Sequence, residues 1–161
     1  MTVTDAMFEQ VPLNSGEPNA CSPAAPAEPW RGLVIQAPRQ VGFRPGKPVD
    51  GEFAAIPVCG FYRLGMASLL DGKPLMLVAV NQKDQSRHEG PMIDVDPGLM
   101  RAPPERPPID PKKLEGMSTA AYFNPNLARY VKLPAVEAVW QVHAEYGGAV
   151  SNQVQIVVVR R

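Results

Sequence analysis

Chemistry that depends on imidazole would rest on two histidines in this chain. The two histidines are His88, in a polar stretch, and His143, in an alternating one, and neither belongs to a His-x-x-x-His pattern. Zinc sites need closely spaced histidine and cysteine ligands, and a copper site needs Cys, His and Met together. Cys59 lies far upstream of His143. We therefore expect two solvated histidines, no metal site and no cofactor.

The two cysteines raise separate questions of reactivity and pairing. Cys59 lies in an apolar run, which is typical of a small buried hydrophobe, and no base can be assigned to activate it as a nucleophile. Cys21 lies among Pro and Ala residues that give it no fixed position relative to Cys59. A disulfide between the two remains an alternative, but the sequence favours free thiols.

Acidic residues and nucleophile motifs give equally weak signals of catalysis. Asp94, Asp96 and nearby Glu89 have the oxygen ligands that Ca²⁺ prefers, but they are few and lack the glycine spacing of a calcium loop. The chain contains no glycine-rich phosphate loop, Gly-x-Ser-x-Gly elbow or Ser/His/Asp arrangement. We expect a protein that is not an enzyme, with an enzyme of unrecognised type as an alternative.

Composition predicts one folded domain with an N-terminal extension. The chain has 161 residues, 45% of them apolar, and 19 prolines that exclude long helices from most of it. Residues 1–29 are rich in Pro and Ala and contain four acidic residues but no Lys or Arg, so they are predicted to form an acidic arm before a domain at 30–161. The rest of the chain has a small, scattered basic surplus, which does not predict a nucleic-acid surface.

No targeting or membrane-inserting segment is evident. The N-terminus has no basic region followed by an apolar run, and no stretch approaches the roughly 18 apolar residues of a membrane helix. The expectation is a protein without membrane insertion, cytoplasmic by default or part of a non-classically exported assembly.

Period-two alternation at the C-terminal end gives the clearest structural prediction. Ala138, Trp140, Val142, Ala144 and Tyr146 fall on one side of an extended chain, and alternation resumes after Gly147-Gly148 up to Val158. Two such runs across a Gly-Gly turn predict an antiparallel hairpin whose buried face contains Trp140.

Further strands are predicted from shorter apolar runs. We expect them at Leu33–Ala37, Val49–Arg63, Pro74–Gln82 and Met117–Phe123, a helical turn at Met66–Leu70, and a short extended piece at Met92–Val95. The total is seven or eight strands, which predicts an all-β fold with a long proline-rich loop between 83 and 113.

Two motifs carry a resemblance to known modules. The hairpin W-x-V-x-A-x-Y-G-G-x-x-S-N-x-V-x-I, from Trp140 to Ile156, and the opening from Ala37-Pro38 to Pro48-Val49 resemble the last and first strand pairs of fibronectin type III and bacterial immunoglobulin-like domains. The resemblance implies an immunoglobulin-like β-sandwich and no particular activity. Trp140 stands where those families usually have Tyr, and the middle of the chain is longer than such a module needs.

The expected function is recognition. Our leading hypothesis is a non-enzymatic protein–protein interaction or structural module that acts alone or as a subunit of a larger assembly. The alternative is a sandwich that binds a small ligand or carbohydrate. Candidate partner-binding residues combine aromatic or apolar with basic side chains; they are Phe61, Tyr62, Arg63, Met92, Ile93, Arg101 and Arg106.

The N-terminal arm contains a second candidate surface, a short apolar patch of Met7, Phe8, Val11 and Leu13. A floppy terminus is one expectation for it. The other is docking on a sheet edge, in the same chain or in another copy, which would make the arm a site of self-association.

Overall fold

The computed structural model describes residues 3–93 and 110–161, and these ranges form a mostly β structure with two sheets. The strands are β1 (Gly32–Gln36), β2 (Gln40–Phe43), β3 (Cys59–Gly65), β4 (Met76–Asn81), β5 (Arg87–Pro91), β6 (Ser118–Phe123), β7 (Ala138–Tyr146), β8 (Ala149–Val150) and β9 (Val154–Arg160). One short helix, α1 (Leu127–Tyr130), follows β6. In the described ranges no helix has the length and apolarity needed to cross a bilayer.

The larger sheet is built around the predicted C-terminal hairpin. Its order is β2-β9-β7-β4-β5, with β8 paired to β7. Gly147 and Gly148 both have positive φ, so the turn uses the conformation that glycine adopts at little cost. β2 pairs in parallel with β9, whereas the other pairs in this sheet are antiparallel.

The smaller sheet has the order β1-β3-β6, and both of its pairs are antiparallel. The chain passes from β1 in the smaller sheet directly to β2 in the larger one, so its first extended segment contributes to both sheets.

The core lies between the inner faces of the two sheets. Alternate residues of β7 are buried, as the sequence predicts, and Trp140 is 1% exposed. Leu33 and Ile35 of β1 and Phe123 of β6 belong to the same buried cluster. Full burial of each large apolar side chain contributes roughly 1.5–3 kcal/mol, so residues of both sheets contribute to the stability of this core.

Several predicted elements differ from the observed ones. The predicted strand Val49–Arg63 begins only at Cys59, because Pro57 and the turn at Asp50-Gly51 keep the preceding chain out of the ladder. The extended piece predicted at Met92–Val95 lies only partly within the described residues: β5 ends just before it at Pro91, and the N–H of Met92 donates to the carbonyl of Leu75 (2.8 Å). Residues Gln40–Phe43 form a strand that was not predicted separately.

The N-terminal arm packs on the domain of the same chain. Phe8 is 6% exposed and contacts a small cluster that contains Val3, Met7, Val11 and both cysteines. Further along, the N–H of Asn14 donates to the carbonyl of Asn124 (2.7 Å), next to the end of β6. The alternative of a floppy terminus therefore does not describe residues 3–29.

The expectation of free thiols is wrong. Cys21 and Cys59 form a disulfide, and both residues are fully buried. Turns in the arm give Cys21 the fixed position that its composition did not indicate: Oδ1 of Asn19 accepts the N–H of Cys21 (3.0 Å), and the N–H of Ser22 donates to the carbonyl of Asn19 (3.0 Å).

Candidate interaction surfaces

The outer face of the smaller sheet, the face turned away from the core, is covered by the chain's own N-terminal segment. Phe61 points outward from β3 and is 4% exposed. The ring of Trp30 stacks 6.2 Å from it, and the ring of Tyr122 lies 4.9 Å away on the other side. Cys59, two residues earlier on the same face, carries the disulfide.

Charged contacts hold the last part of the arm over this face. Arg63 donates from Nη1 to the carbonyl of Pro26 (2.7 Å), and its Nε lies 3.2 Å from the carboxylate of Glu28. The guanidinium also lies 5.4 Å from the centre of the Phe61 ring, within the range of a cation–π contact. Arg31 donates to the same carboxylate (2.7 Å), and this hydrogen bond lowers the pKa of Glu28.

The three predicted anchors therefore point to opposite faces of the smaller sheet. They are Phe61, Tyr62 and Arg63. Phe61 and Arg63 face the arm, whereas Tyr62 faces the core, where its ring meets that of Tyr146 edge-on at 5.1 Å. Burial, and to a lesser degree Tyr146, raises the pKa of Tyr62. Phe61 and Arg63 thus contact a partner segment, but that segment belongs to the same chain.

The other predicted contact residues lie apart from this cluster. Met92 is half-buried against the core, and Ile93 is 48% exposed at the end of the first described range. Arg101 and Arg106, and the possible calcium ligands Asp94 and Asp96, lie outside the described residues. Of the arm residues, Phe8 is buried, and Met7, Val11 and Leu13 are half-buried on their own domain.

The outer face of the larger sheet carries only its own side chains, as far as the described residues show. On the half formed by β4, β5 and the end of β7, Arg87 approaches both Glu89 (3.2 Å) and Glu145 (3.7 Å). Val78 lies on β4 between these strands and is fully buried although it points outward. Charged side chains thus cover this half of the face.

The other half of this face carries amides and valines. Gln82 donates to Gln141 (2.8 Å), and Gln141 donates to Gln153, which links three glutamine side chains in an amide row. Beside the row is a shallow groove of about 580 Å³, here called the valine groove. Its lining includes the half-buried outward side chains Val139, Val157 and Val159, with Lys83 and Glu137 at its rim.

A second groove, here called the edge groove, runs between β2 and the arm and has a volume of about 570 Å³. Val11 and Leu13 of the arm, Pro38 before β2 and Val41 within β2 contribute apolar lining. Asp5 and Glu9 line it as acids and Arg161 as a base. The sequence predicted the arm's apolar patch. It did not indicate a groove, because β2 was not predicted.

Both histidine side chains lie close to other side chains of the protein. The ring of His88 meets the ring of the buried Trp140 edge-on at 5.3 Å, so His88 is not the solvated side chain that was expected. His143 points outward, 3.8 Å from Glu145, but only 13% of its side chain is exposed. Within the described ranges no group of three or more His, Cys, Asp or Glu residues is arranged to hold a metal ion.

No protein-family model, curated protein or solved structure matches this chain.

Proposed function

We propose that this chain is a non-enzymatic, immunoglobulin-like module that works by protein–protein contact and self-associates through the outer face of its larger sheet. The observation that carries the proposal is the valine groove beside the amide row. Apolar side chains flanked by polar and charged groups are the composition of a contact surface. The corresponding face of the smaller sheet is covered by the arm.

The strand order supports the immunoglobulin-like part of the proposal. In such sandwiches strands A, B and E share one sheet and C, F and G the other, and variable-type domains add C′ beside C. β1, β3 and β6 correspond to A, B and E, and β4, β7, β9 and β5 to C, F, G and C′. Two departures concern packing: Cys59 bonds to the arm instead of the opposite sheet, and Trp140 lies on the strand that corresponds to F.

The chemistry of the face favours a second copy as the partner. A glutamine amide both donates and accepts hydrogen bonds, so a row of glutamines is complementary to itself. Two-fold contacts require such self-complementarity, because the same patch contributes on both sides. Lys83 and Glu137 add opposite charges at the groove rim, and a formal net charge of zero removes long-range repulsion between copies.

The alternative of a carbohydrate-binding sandwich has less support. Sugar binding on a sandwich surface generally uses an exposed aromatic ring, but every aromatic side chain of this chain is buried or half-buried.

The buried disulfide bears on the cellular compartment of the protein. Disulfides persist in oxidising compartments, so we place this module in one, and not in the cytoplasm that the sequence suggested by default.

Self-association is tested by sedimentation equilibrium of the full chain over a concentration series. Val157→Lys places a charge in the valine groove, and Met117→Lys places the same charge next to β6 of the smaller sheet, at a methionine that is 49% exposed. We expect the wild type and Met117→Lys to approach the dimer mass and Val157→Lys to remain monomeric. A wild type that stays monomeric at about 1 mM, a concentration at which even weak pairs associate, would contradict the proposal.

A further inference from the structure

Along the outer edge of β2, the backbone groups of alternate residues face away from β9. The N–H of Val157 donates to the carbonyl of Arg39, and the N–H of Arg161 donates to the carbonyl of Phe43 (both 2.8 Å). In a parallel pair, alternate residues of a strand bond to the same neighbour. The register from Gln40↔Val157 to Phe43↔Arg160 therefore directs the N–H and C=O groups of Gln40 and Gly42 away from β9.

No described residue pairs with these outward groups. The edge of β1, by contrast, is occupied: Asn152 accepts the N–H of Ile35 (2.8 Å) and donates to its carbonyl (3.0 Å). Beside β2 lies the edge groove, walled by the arm. An exposed strand edge with an apolar groove beside it is a template for an added strand.

We propose that the edge groove accepts an extended segment of another polypeptide, which adds to β2 as a further strand. Hydrogen bonds to Gln40 and Gly42 would supply the pairing, and Val11, Leu13 and Val41 the apolar contacts. This inference goes beyond self-association and uses a different surface, so either proposal can fail without the other.

The charges at the two ends of the groove specify the occupant. Oδ1 of Asp5 accepts the N–H of Arg39 (2.7 Å), which fixes an acid at the start of β2, and Glu9 lines the same groove. At the other end the side chain of Arg161 lies against Gly42. A complementary segment has a basic residue opposite Asp5, apolar residues at alternate positions, and an acidic residue opposite Arg161.

Antiparallel pairing is the more stable arrangement, so the acidic residue of the segment comes first in its sequence. The probe is the peptide Ac-EVTVTVK-NH2, added to the ¹⁵N-labelled full chain while amide spectra are recorded. The first control has the same side chains but N-methyl groups on alternate residues, which removes the donors toward β2. We expect saturable shifts at the Gln40 and Gly42 amides with the first peptide and none with the second.

Two protein variants separate backbone pairing from side-chain contact. Gln40→Pro removes only a donor that points away from β9, whereas Gln40→Ala retains it. Because one hydrogen bond contributes about 0.5–1.5 kcal/mol, we expect Gln40→Pro to bind up to about tenfold more weakly and Gln40→Ala to bind like the wild type. If Gln40→Pro fails to fold, Arg161→Glu replaces it, and should prefer Ac-KVTVTVK-NH2 over the first peptide.

Equal binding of the N-methylated peptide would overturn the proposal, because the backbone would then contribute nothing. So would the absence of any shift at Gln40 and Gly42 at about 1 mM peptide, the weak limit of specific binding. Shifts confined to the valine groove would also overturn it, while leaving the proposed self-association intact.

Discussion

The outer faces of the two sheets differ in what covers them. On the smaller sheet, Phe61 and Cys59 point outward and are as buried as core residues, because the arm and the disulfide lie over them. On the larger sheet, Gln155 points outward and is exposed. Among the described residues, the N-terminal segment thus serves as a third layer over the smaller sheet only.

Of the contacts that hold the arm over the smaller sheet, we expect the disulfide to contribute most to the free energy of unfolding. It closes a loop with a sequence separation of 38 residues. A loop of this length is expected to stabilise the fold by about 4 kcal/mol through the entropy of the unfolded chain. We expect the double variant Cys21→Ser, Cys59→Ser to lose about that much free energy of unfolding, measured by urea denaturation.

Alkylation of the unreduced wild type provides the control for the disulfide prediction. No free cysteine is present, so iodoacetamide should add no mass before reduction. A double variant as stable as the wild type would mean that the arm is held by its non-covalent contacts alone.

The second prediction compares one outward residue from each face. Phe61→Ala removes a buried ring between Trp30 and Tyr122, and changes of this kind cost about 3 kcal/mol or more. Gln155→Ala alters an exposed side chain of the larger sheet and should change the free energy of unfolding by less than about 0.5 kcal/mol. Both values come from denaturant unfolding, and equal values would show that the arm does not act as a packed layer.

The third prediction concerns the strand edges beside these faces. Asn152 forms two hydrogen bonds with the backbone of Ile35 at the edge of β1. Asn152→Ala removes both hydrogen bonds and should cost about 1–3 kcal/mol, because each typical hydrogen bond contributes about 0.5–1.5 kcal/mol. Asn152→Asp retains the acceptor but not the donor, and an intermediate loss is expected; a loss no larger than that of Gln155→Ala would contradict the role given to Asn152.

The hairpin could be predicted from the sequence because its determinants are local. Alternation from Ala138 to Tyr146 and a Gly-Gly turn specify which face is buried without knowledge of the rest of the chain. β2 could not be predicted in the same way. It is four residues long, and its parallel partner β9 is near the other end of the chain.

The arm and its disulfide were missed for a related reason. The Pro/Ala-rich composition around Cys21 indicates that the segment buries little apolar surface by itself. It does not indicate that the segment packs against β3. Phe61, Tyr62 and Arg63 were predicted as one cluster because they are adjacent in sequence. The pleat of β3 sends Tyr62 to the core and the other two toward the arm.

The smallest expected effect is a pH dependence of the arm's charged contact. The hydrogen bond from Arg31, with smaller coulombic contributions from Arg31 and Arg63, lowers the pKa of Glu28 below its usual 4.5. A carboxyl group with a lowered folded-state pKa stabilises the fold above its unfolded pKa, and this contribution is lost as the pH falls through the folded value. Wild type should therefore exceed Glu28→Gln in thermal midpoint at pH 7, and the two should converge as the pH drops below 4.5.

Salt distinguishes this contact from a packing effect of the substitution. Glu28 is exposed, so its interaction with Arg31 and Arg63 is screened at high ionic strength. At about 1 M NaCl the difference between wild type and Glu28→Gln at pH 7 should shrink toward zero, because the Debye length falls to about 3 Å. A difference that survives both acid and salt would mean that the Glu28 side chain supports the arm by packing, and that charge contributes nothing to how this face is covered.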